Sequence, residues 1–438
     1  MSSVSDGSSK TGHAGKFQPA ETDGTAGRCE VKTSTRLVRS FRDITGGDTD
    51  LRRPVVTLFS GGLDSTYLLY RLARAGATDV RAISVGLGGD EQAAQLQRIA
   101  DKLGVQVQVT DAREEFVDEF VRPAIAAHAV YLDTHPISSS LSRPLIARVA
   151  VGAAREHDAQ MILHTANRSQ NTLRRLNGAL ELLGFQGRFG SPYDLNPVDR
   201  EVKIKELQSV GLDEMAERSA SGDSNLWCRE FESGILDDPE DHVVPESYYR
   251  WSARRGVAPA PEHLEIGFRQ GIPVAVNGEE LPLAEIIERL NWTVGAHGIG
   301  RYTGLEHLPG GVKVLEVREM PAARLLMASR RHLETAVLEA ESLREKMHVE
   351  QVWVREALEG RWFGELRRAC DSFIAELVAS VTGTVRWRLS ARGASTTSIV
   401  AASPRYVRNR EDWEQASIQA EISHYEAASD GDIRGGKW

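Results

Sequence analysis

The 438-residue sequence predicts an α/β protein: a doubly wound parallel-sheet domain, then an α+β domain, then a C-terminal helical arm. In the first half, short apolar runs alternate with amphipathic helical stretches, the pattern of parallel strands joined by crossover helices. In the second half, period-two alternation around turn dipeptides marks antiparallel strands set among helices. The length also calls for more than one domain, because single cores stop growing at about 250–300 residues.

Residues 1–35 are rich in Ser, Gly, Thr and Asp and nearly lack large apolar side chains, so they are read as a disordered tail. Order is expected to begin near Pro54. Val55 to Phe59 form an apolar run before two glycines, and Leu68, Leu69 and Leu72 then share a helical face: strand, turn, helix. Val80 to Val85, a helix over about 91–103, and Val105 to Val109 repeat the alternation. Pro144 to Glu156 predicts a helix opened by its proline, leading into the apolar segment Met161 to Leu163. These elements define a first domain over 50–215, with ligands expected at the carboxyl ends of its strands.

The second domain is placed at 216–405. Leu264, Ile266 and Phe268 alternate with polar or small residues, and Val274 and Val276 do the same before Asn277-Gly278, predicting two paired antiparallel strands. Leu283, Ile286, Ile287 and Leu290 mark one amphipathic helix, and Leu333, Val337, Ala340 and Leu343 mark another. Val385, Trp387 and Leu389 alternate with Arg386, Arg388 and Ser390, and Ile399 and Val400 follow a turn, which predicts a last hairpin. The arm, 406–438, carries a charged helix with Trp413 and Ile418 and is too small to fold alone, so it should pack on a neighbour or another subunit.

Lys plus Arg total 53 against 62 for Asp plus Glu, a net charge of −9 with no basic block, which disfavours nucleic acid and anionic membranes as main partners. Cys29, Cys228 and Cys370 are the three cysteines and form no CxxC, arguing against a disulfide framework, a zinc cluster and paired-cysteine sulfur transfer. No apolar run approaches the roughly 18–20 residues that span a bilayer. Small-molecule partners and a cytoplasmic location are expected.

The most informative string is Ser60-Gly61-Gly62-Leu63-Asp64-Ser65-Thr66, between a strand and a helix. Glycines without Cβ let backbone N–H groups close on a pyrophosphate, the helix N-terminus adds partial positive charge, and Ser60 and Ser65 add donors. Asp64 makes the loop more negative, so a Mg²⁺ ion, held indirectly, is the natural compensation. The bland alternative is a helix capped by Ser60 or Asp64 after a glycine turn. No Lys-Ser/Thr follows the glycines, which excludes the loop of kinases and GTPases.

The string resembles the pyrophosphatase-loop signature SGGxDS of enzymes that cleave ATP between its α and β phosphates. Further along, Asp111 to Phe116, Arg122 to Ala124, Ser139 to Ala147, Asn225 to Trp227, Glu232 to Pro239 and Gly295 to Arg301 resemble, in the right order, the argininosuccinate synthase family. The resemblance covers about 54–405. It implies that the ureido oxygen of citrulline attacks the α-phosphate of ATP, and that the amine of aspartate then displaces AMP. It places Ser60, Asp64 and Arg175 in the chemistry and Ser60, Gly61, Gly62, Asp64, Ser65, Thr66, Val85 and Thr165 around ATP. Ser140, Asn171, Arg175, Ser221 and Glu306 fall at citrulline positions, with Asn171 also touching aspartate. It further implies a homotetramer.

Departures from the family pattern are concentrated in the amino-acid pockets. Where the family has Gly-Lys-Gly-Asn-Asp, this chain reads Arg168-Ser-Gln-Asn-Thr172, so Thr172 stands at the aspartate-binding Asp and Asn167 at a Thr. His135 replaces a Tyr, Glu230 a Ser and Arg318 a Tyr. Glu230 and Arg318 each shift the pocket charge by a full unit, a cost of several kcal/mol if buried unpaired and less if they pair with each other. Three alternatives to the synthase activity follow: a paralogue ligating different substrates, a non-catalytic ATP-binding protein, and tRNA modification, the last disfavoured by the acidic balance.

Overall fold

The computed structural model describes residues 36–434, except 47–48, 90–92, 217–220, 255 and 257–258; the expected tail, 1–35, lies outside the described residues. Ordered chain begins earlier than Pro54. Leu37–Val38 pairs in parallel with Arg188–Gly190, and the short helix Phe41–Thr45 follows. Ser40 and Asp43 form a reciprocal capping box on that helix, while Phe41 and Ile44 are buried with Tyr67 and Tyr193. Two large apolar side chains and a cap are enough to order a segment that is otherwise polar.

The first half is a six-stranded parallel sheet in the order Leu37–Val38, Arg188–Gly190, Met161–Leu163, Val55–Leu58, Val80–Gly86, Gln106–Asp111. The chain moves outward from Val55–Leu58 in one direction, then returns to its other side at Met161–Leu163. The strand order therefore reverses at Val55–Leu58, which puts the ligand crevice beyond Leu58. The helices Leu63–Arg74, Ala93–Leu103, Ser139–Glu156 and Thr172–Leu182 cover the sheet. Pro144 does not open its helix: the helix starts at Ser139 and carries Pro144 inside it. The proline removes the amide that would have closed on the Ser140 carbonyl, within two turns of the start, where the loss is tolerated.

The second half holds two antiparallel sheets. One is ordered Arg301–His307, Lys313–Glu319, Arg229–Glu232, Ser221–Ser224, and the other Glu279–Glu280, Ile272–Val276, Glu262–Arg269, Gly383–Ser390, Gly393–Ala401. The predicted pairing of Glu262–Arg269 with Ile272–Val276 is present, but its turn is Gln270-Gly271, both at positive φ; Asn277-Gly278 leads instead to the short third strand. Both dipeptides have the left-handed backbone that two-residue hairpins require. The hairpin near the C-terminus forms as predicted, with Val385, Trp387 and Leu389 inward.

Leu333, Val337, Ala340 and Leu343 do not share one helix. Leu338 and Glu339 are extended and separate Pro321–Val337 from Ala340–Leu358. The two helices enclose a charged cluster: Arg330, Glu334, Lys346 and Glu350 are fully buried and mutually paired, Lys346 reaching Glu334 at 2.8 Å. The last helix, Arg410–Arg434, leaves Trp413, Ile418, Ile422 and Tyr425 exposed. Among the described residues, no helix is long and apolar enough to cross a membrane.

Candidate active site

The glycine loop lies at the carboxyl end of Val55–Leu58, where the strand order reverses. Gly61 has φ +68°, a backbone conformation that favours glycine, and a Cβ there would push the tip of the Leu96 side chain, 2.6 Å away. Gly62 occupies the N-cap of Leu63–Arg74 and no side chain caps the helix. The reading in which Ser60 or Asp64 caps it therefore does not hold, and the first-turn amides are left for an anion. Ser60 Oγ lies 3.2 Å from Ser65 Oγ and accepts from Gly62 N at 3.4 Å, closing the loop around the helix start. Thr66 is buried below it, and its hydroxyl has no partner. Val85 and Thr165, half-buried, sit at the ends of the strands flanking Val55–Leu58.

Asp64 already has a cation. Lys203, nearly buried, donates from Nζ to Asp64 Oδ1 at 2.6 Å and lies over the Tyr193 ring, while the Tyr193 hydroxyl donates to the Asp64 carbonyl at 2.9 Å. The negative charge expected to call for a metal is thus met from the helix Arg200–Gln208. Among the described residues, no group of three or more His, Cys, Asp or Glu side chains could hold a metal ion. These residues do not fit a resident Mg²⁺.

A second cluster of predicted site residues lies where the helix Thr172–Leu182 meets the sheet that contains Arg229–Glu232 and Lys313–Glu319. Arg175 is buried, not on a solvated helix face. It donates to Glu306 Oε1 at 2.9 Å, Ser139 Oγ at 2.7 Å and the Leu358 carbonyl at 3.3 Å. Glu230 and Arg318 face each other in the sheet register and pair directly. Arg318 also pairs with Glu316 and lies 3.9 Å from Glu306, so three glutamates and two arginines form one buried network.

Burial disfavours the charge on Arg318, but Glu230 and Glu316 outweigh it and hold the guanidinium firmly protonated. Burial pushes the Glu316 carboxyl well up, with Glu306 and Glu230 adding to the rise against Arg318. Glu306 goes the other way: burial opposes its charge, but Arg175, the hydrogen bond from Glu316 and Arg318 hold it below the usual carboxylate range. Glu306 and Glu316 are thus driven in opposite directions, Glu306 towards its charged form and Glu316 towards its protonated one, and burial pushes Glu230 upward as well.

His135 is buried in the same region, its ring 4.7 Å from that of Tyr302 and its Nδ1 2.9 Å from Thr134 Oγ1. Burial, then Arg318, lowers its pKa to about 3. Ser140 is buried in the first turn of its helix. Asn171 is buried and donates to the His307 carbonyl at 2.9 Å. Asn167 accepts from the amide and hydroxyl of Ser169, at 3.0 and 2.6 Å, so it braces its own loop. Thr172 accepts from Arg143 at 3.3 Å, and Arg143 pairs with Asp223 at 3.0 Å. Ser221 begins the edge strand Ser221–Ser224.

Lys203 and Glu316 were not found from the sequence. Glu316 had a signal: Leu315 and Val317 alternate with Glu316 and Arg318, which puts two opposite charges on one face of a strand. Lys203 had none, being one cation in a charged helix.

A glycine loop at the switch point of a parallel sheet, opening an uncapped helix, in a chain that also holds a buried ionic cluster, defines a nucleotide-using enzyme of the ATP-cleaving synthetase class. Two family models match the chain: arginosuccinate synthase N-terminal HUP domain over 54–184, and arginosuccinate synthase C-terminal domain over 220–421. Argininosuccinate synthase of Rubrobacter xylanophilus is 34% identical over 385 residues, covering 87% of this chain and 92% of the relative; that of Symbiobacterium thermophilum is 36% identical over 343 residues, covering 77% and 85%. Among solved structures, the NH3-dependent NAD synthetase from Campylobacter jejuni is 15% identical with a TM-score of 0.27, covering 40% of this chain and 69% of that one. The chain belongs to the argininosuccinate synthase family.

Two outcomes follow from the site. Lys203→Met would leave Asp64 uncompensated beside the phosphates, so the KM for ATP should rise about tenfold, the loss of roughly one charge-assisted hydrogen bond; steady-state kinetics at fixed co-substrate checks this. His135 has a folded pKa near 3 against 6.5 in the unfolded chain. The unfolded state therefore binds more protons in that window, and the stability this ring contributes is complete above about pH 6.5 and lost as pH falls towards 3. Between pH 7 and 5 the loss is about 2 kcal/mol. Urea unfolding of His135→Phe should show a correspondingly smaller drop over that range; an unaltered pH dependence would count against a buried neutral imidazole.

Proposed function

We propose that this chain joins citrulline to aspartate with cleavage of ATP to AMP and pyrophosphate, giving argininosuccinate. The observation that carries the reading is the buried Arg175–Glu306 pair, which joins the helix Thr172–Leu182 to the strand Arg301–His307. Its opposite charges, 2.9 Å apart, match the carboxylate and ammonium of an α-amino acid head group. The ureido oxygen then attacks the α-phosphate, the bond to pyrophosphate breaks with its charge met by the amides of the uncapped helix start, and the amine displaces AMP. Urea carbon is a poor electrophile, and adenylation makes its oxygen a leaving group, so the protein mainly positions the partners and neutralises charge.

Glu230 and Arg318 fit this reading because they cancel each other, leaving the pocket's net charge unaltered by their exchange for neutral residues. Family membership favours the synthase reading over a substrate-switched paralogue or a non-catalytic ATP binder. Mg²⁺ enters as the counter-ion of the ATP phosphates, since Lys203 holds Asp64. We assign 50–215 to ATP and, through Arg175, to part of the amino-acid pocket, 216–405 to the rest of that pocket, and 406–438 to association of subunits into a tetramer in the cytoplasm, with Ile418, Ile422 and Tyr425 as the contact face.

The enzyme should catalyse exchange of labelled pyrophosphate into ATP when citrulline is added without aspartate, and release AMP stoichiometrically with argininosuccinate when both are present. Exchange no faster than with ATP alone would sink citrulline as the adenylated substrate.

A further inference from the structure

We propose that Glu232 is the catalytic carboxylate that receives the amine nucleophile and takes its proton as the C–N bond forms. The inference rests on the ligase reading above. The loop 168–172, beside which the amine must dock, contains no carboxylate of its own. Glu232 is brought against it: Gln170 Nε2 donates to Glu232 Oε1 at 2.8 Å. Among the described residues, the other acids placed around the crevice above each pair with a cation, and Glu306 is already assigned to the head group of citrulline. Glu230 and Glu316 are held by Arg318, Glu306 by Arg175, Asp223 by Arg143, and Asp194 by Arg39 and Arg168. Glu232 is held by a neutral amide, and among the described residues it forms no ion pair.

Asn171 supplies a second, independent observation. Its Nδ2 donates to the His307 carbonyl, which can only accept, so the amide orientation is set. Its Oδ1 is then a buried acceptor with no donor. A buried carbonyl oxygen in that state calls for an N–H from a ligand. An ammonium docked between Asn171 and Glu232 satisfies both, next to Thr172. Glu232 is half-buried, so a small ligand can reach it.

The step balances simply. The ammonium gives one proton to Glu232, the freed nitrogen lone pair forms the C–N bond, and the C–O bond to AMP breaks with its electron pair leaving on the AMP phosphate. Burial raises the Glu232 carboxyl above its ordinary pKa, which makes it a better proton acceptor. The groups facing it are Glu230 on its own strand, Glu306 and Glu316 across the sheet, Arg143 from the helix Ser139–Glu156, and Gln170 from the loop.

The test uses the full-length chain and two readouts. In Glu232→Gln, citrulline-dependent ATP–pyrophosphate exchange without aspartate should stay within about twofold of wild type, while AMP formation with aspartate should fall about a hundredfold. Adding Thr172→Asp should restore at least about tenfold of the loss, by returning a carboxylate to the docking point. Ligation retained at the wild-type rate, or exchange and ligation falling together, would overturn the assignment. Wild-type protein that shows no exchange would overturn the ligase reading and this inference with it, so the two failures are distinct.

Discussion

Much of this molecule is organised around the buried contact between Arg175 and Glu306. One comes from a helix that covers the parallel sheet, the other from the antiparallel sheet of the second half. Two charges taken out of water cost several kcal/mol each, and such a pair survives only if geometry and further hydrogen bonds repay the desolvation. Here Ser139 and the Leu358 carbonyl complete Arg175, while Arg318 and Glu316 surround Glu306. The helix, the sheet and the segment around Leu358 are thereby held in one register across the crevice.

That constraint explains why charged exchanges in the pocket occur together. Arg318 alone would set a third positive charge near Arg175 and Arg143. With Glu230 opposite it in the register, and Glu316 two residues away on its own strand, it becomes part of a network that carries little net charge. The same logic applies at the phosphate loop, where Lys203 neutralises Asp64 without touching the amides of the helix start. In both places the chain uses its own cations to offset its own acids, and keeps unpaired donors and acceptors for ligands.

The parallel sheet was legible because its signals are local: Val55 to Phe59, Val80 to Val85 and Met161 to Leu163 are apolar runs bounded by turns and helices. Other features depended on distant partners. Leu37 and Val38 are ordered by Arg188–Gly190, and Glu262–Arg269 pairs with Gly383–Ser390 across more than a hundred residues. The break at Leu338 and Glu339 carries no Gly or Pro, so a continuous helical face was the natural reading. At the site, the glycine string and Arg175, Glu230, Glu306 and Arg318 were visible in the chain, but not that they share one network. Neither Lys203 nor Glu232 could be singled out, because the residue each contacts, Asp64 and Gln170, lies far away in sequence.

The central claim, that Glu230 and Arg318 are one compensated unit within the buried ionic network, is tested most directly by a double-mutant cycle on citrulline-dependent pyrophosphate exchange. Glu230→Ser and Arg318→Tyr should each reduce exchange strongly, because the first leaves Arg318 with Glu316 as its close partner and the second leaves Glu230 and Glu316 buried without their cation, each changing the pocket charge by a full unit. The double variant should recover most of the activity, with a coupling of about 2 kcal/mol or more. Additive losses in the double variant would contradict the account.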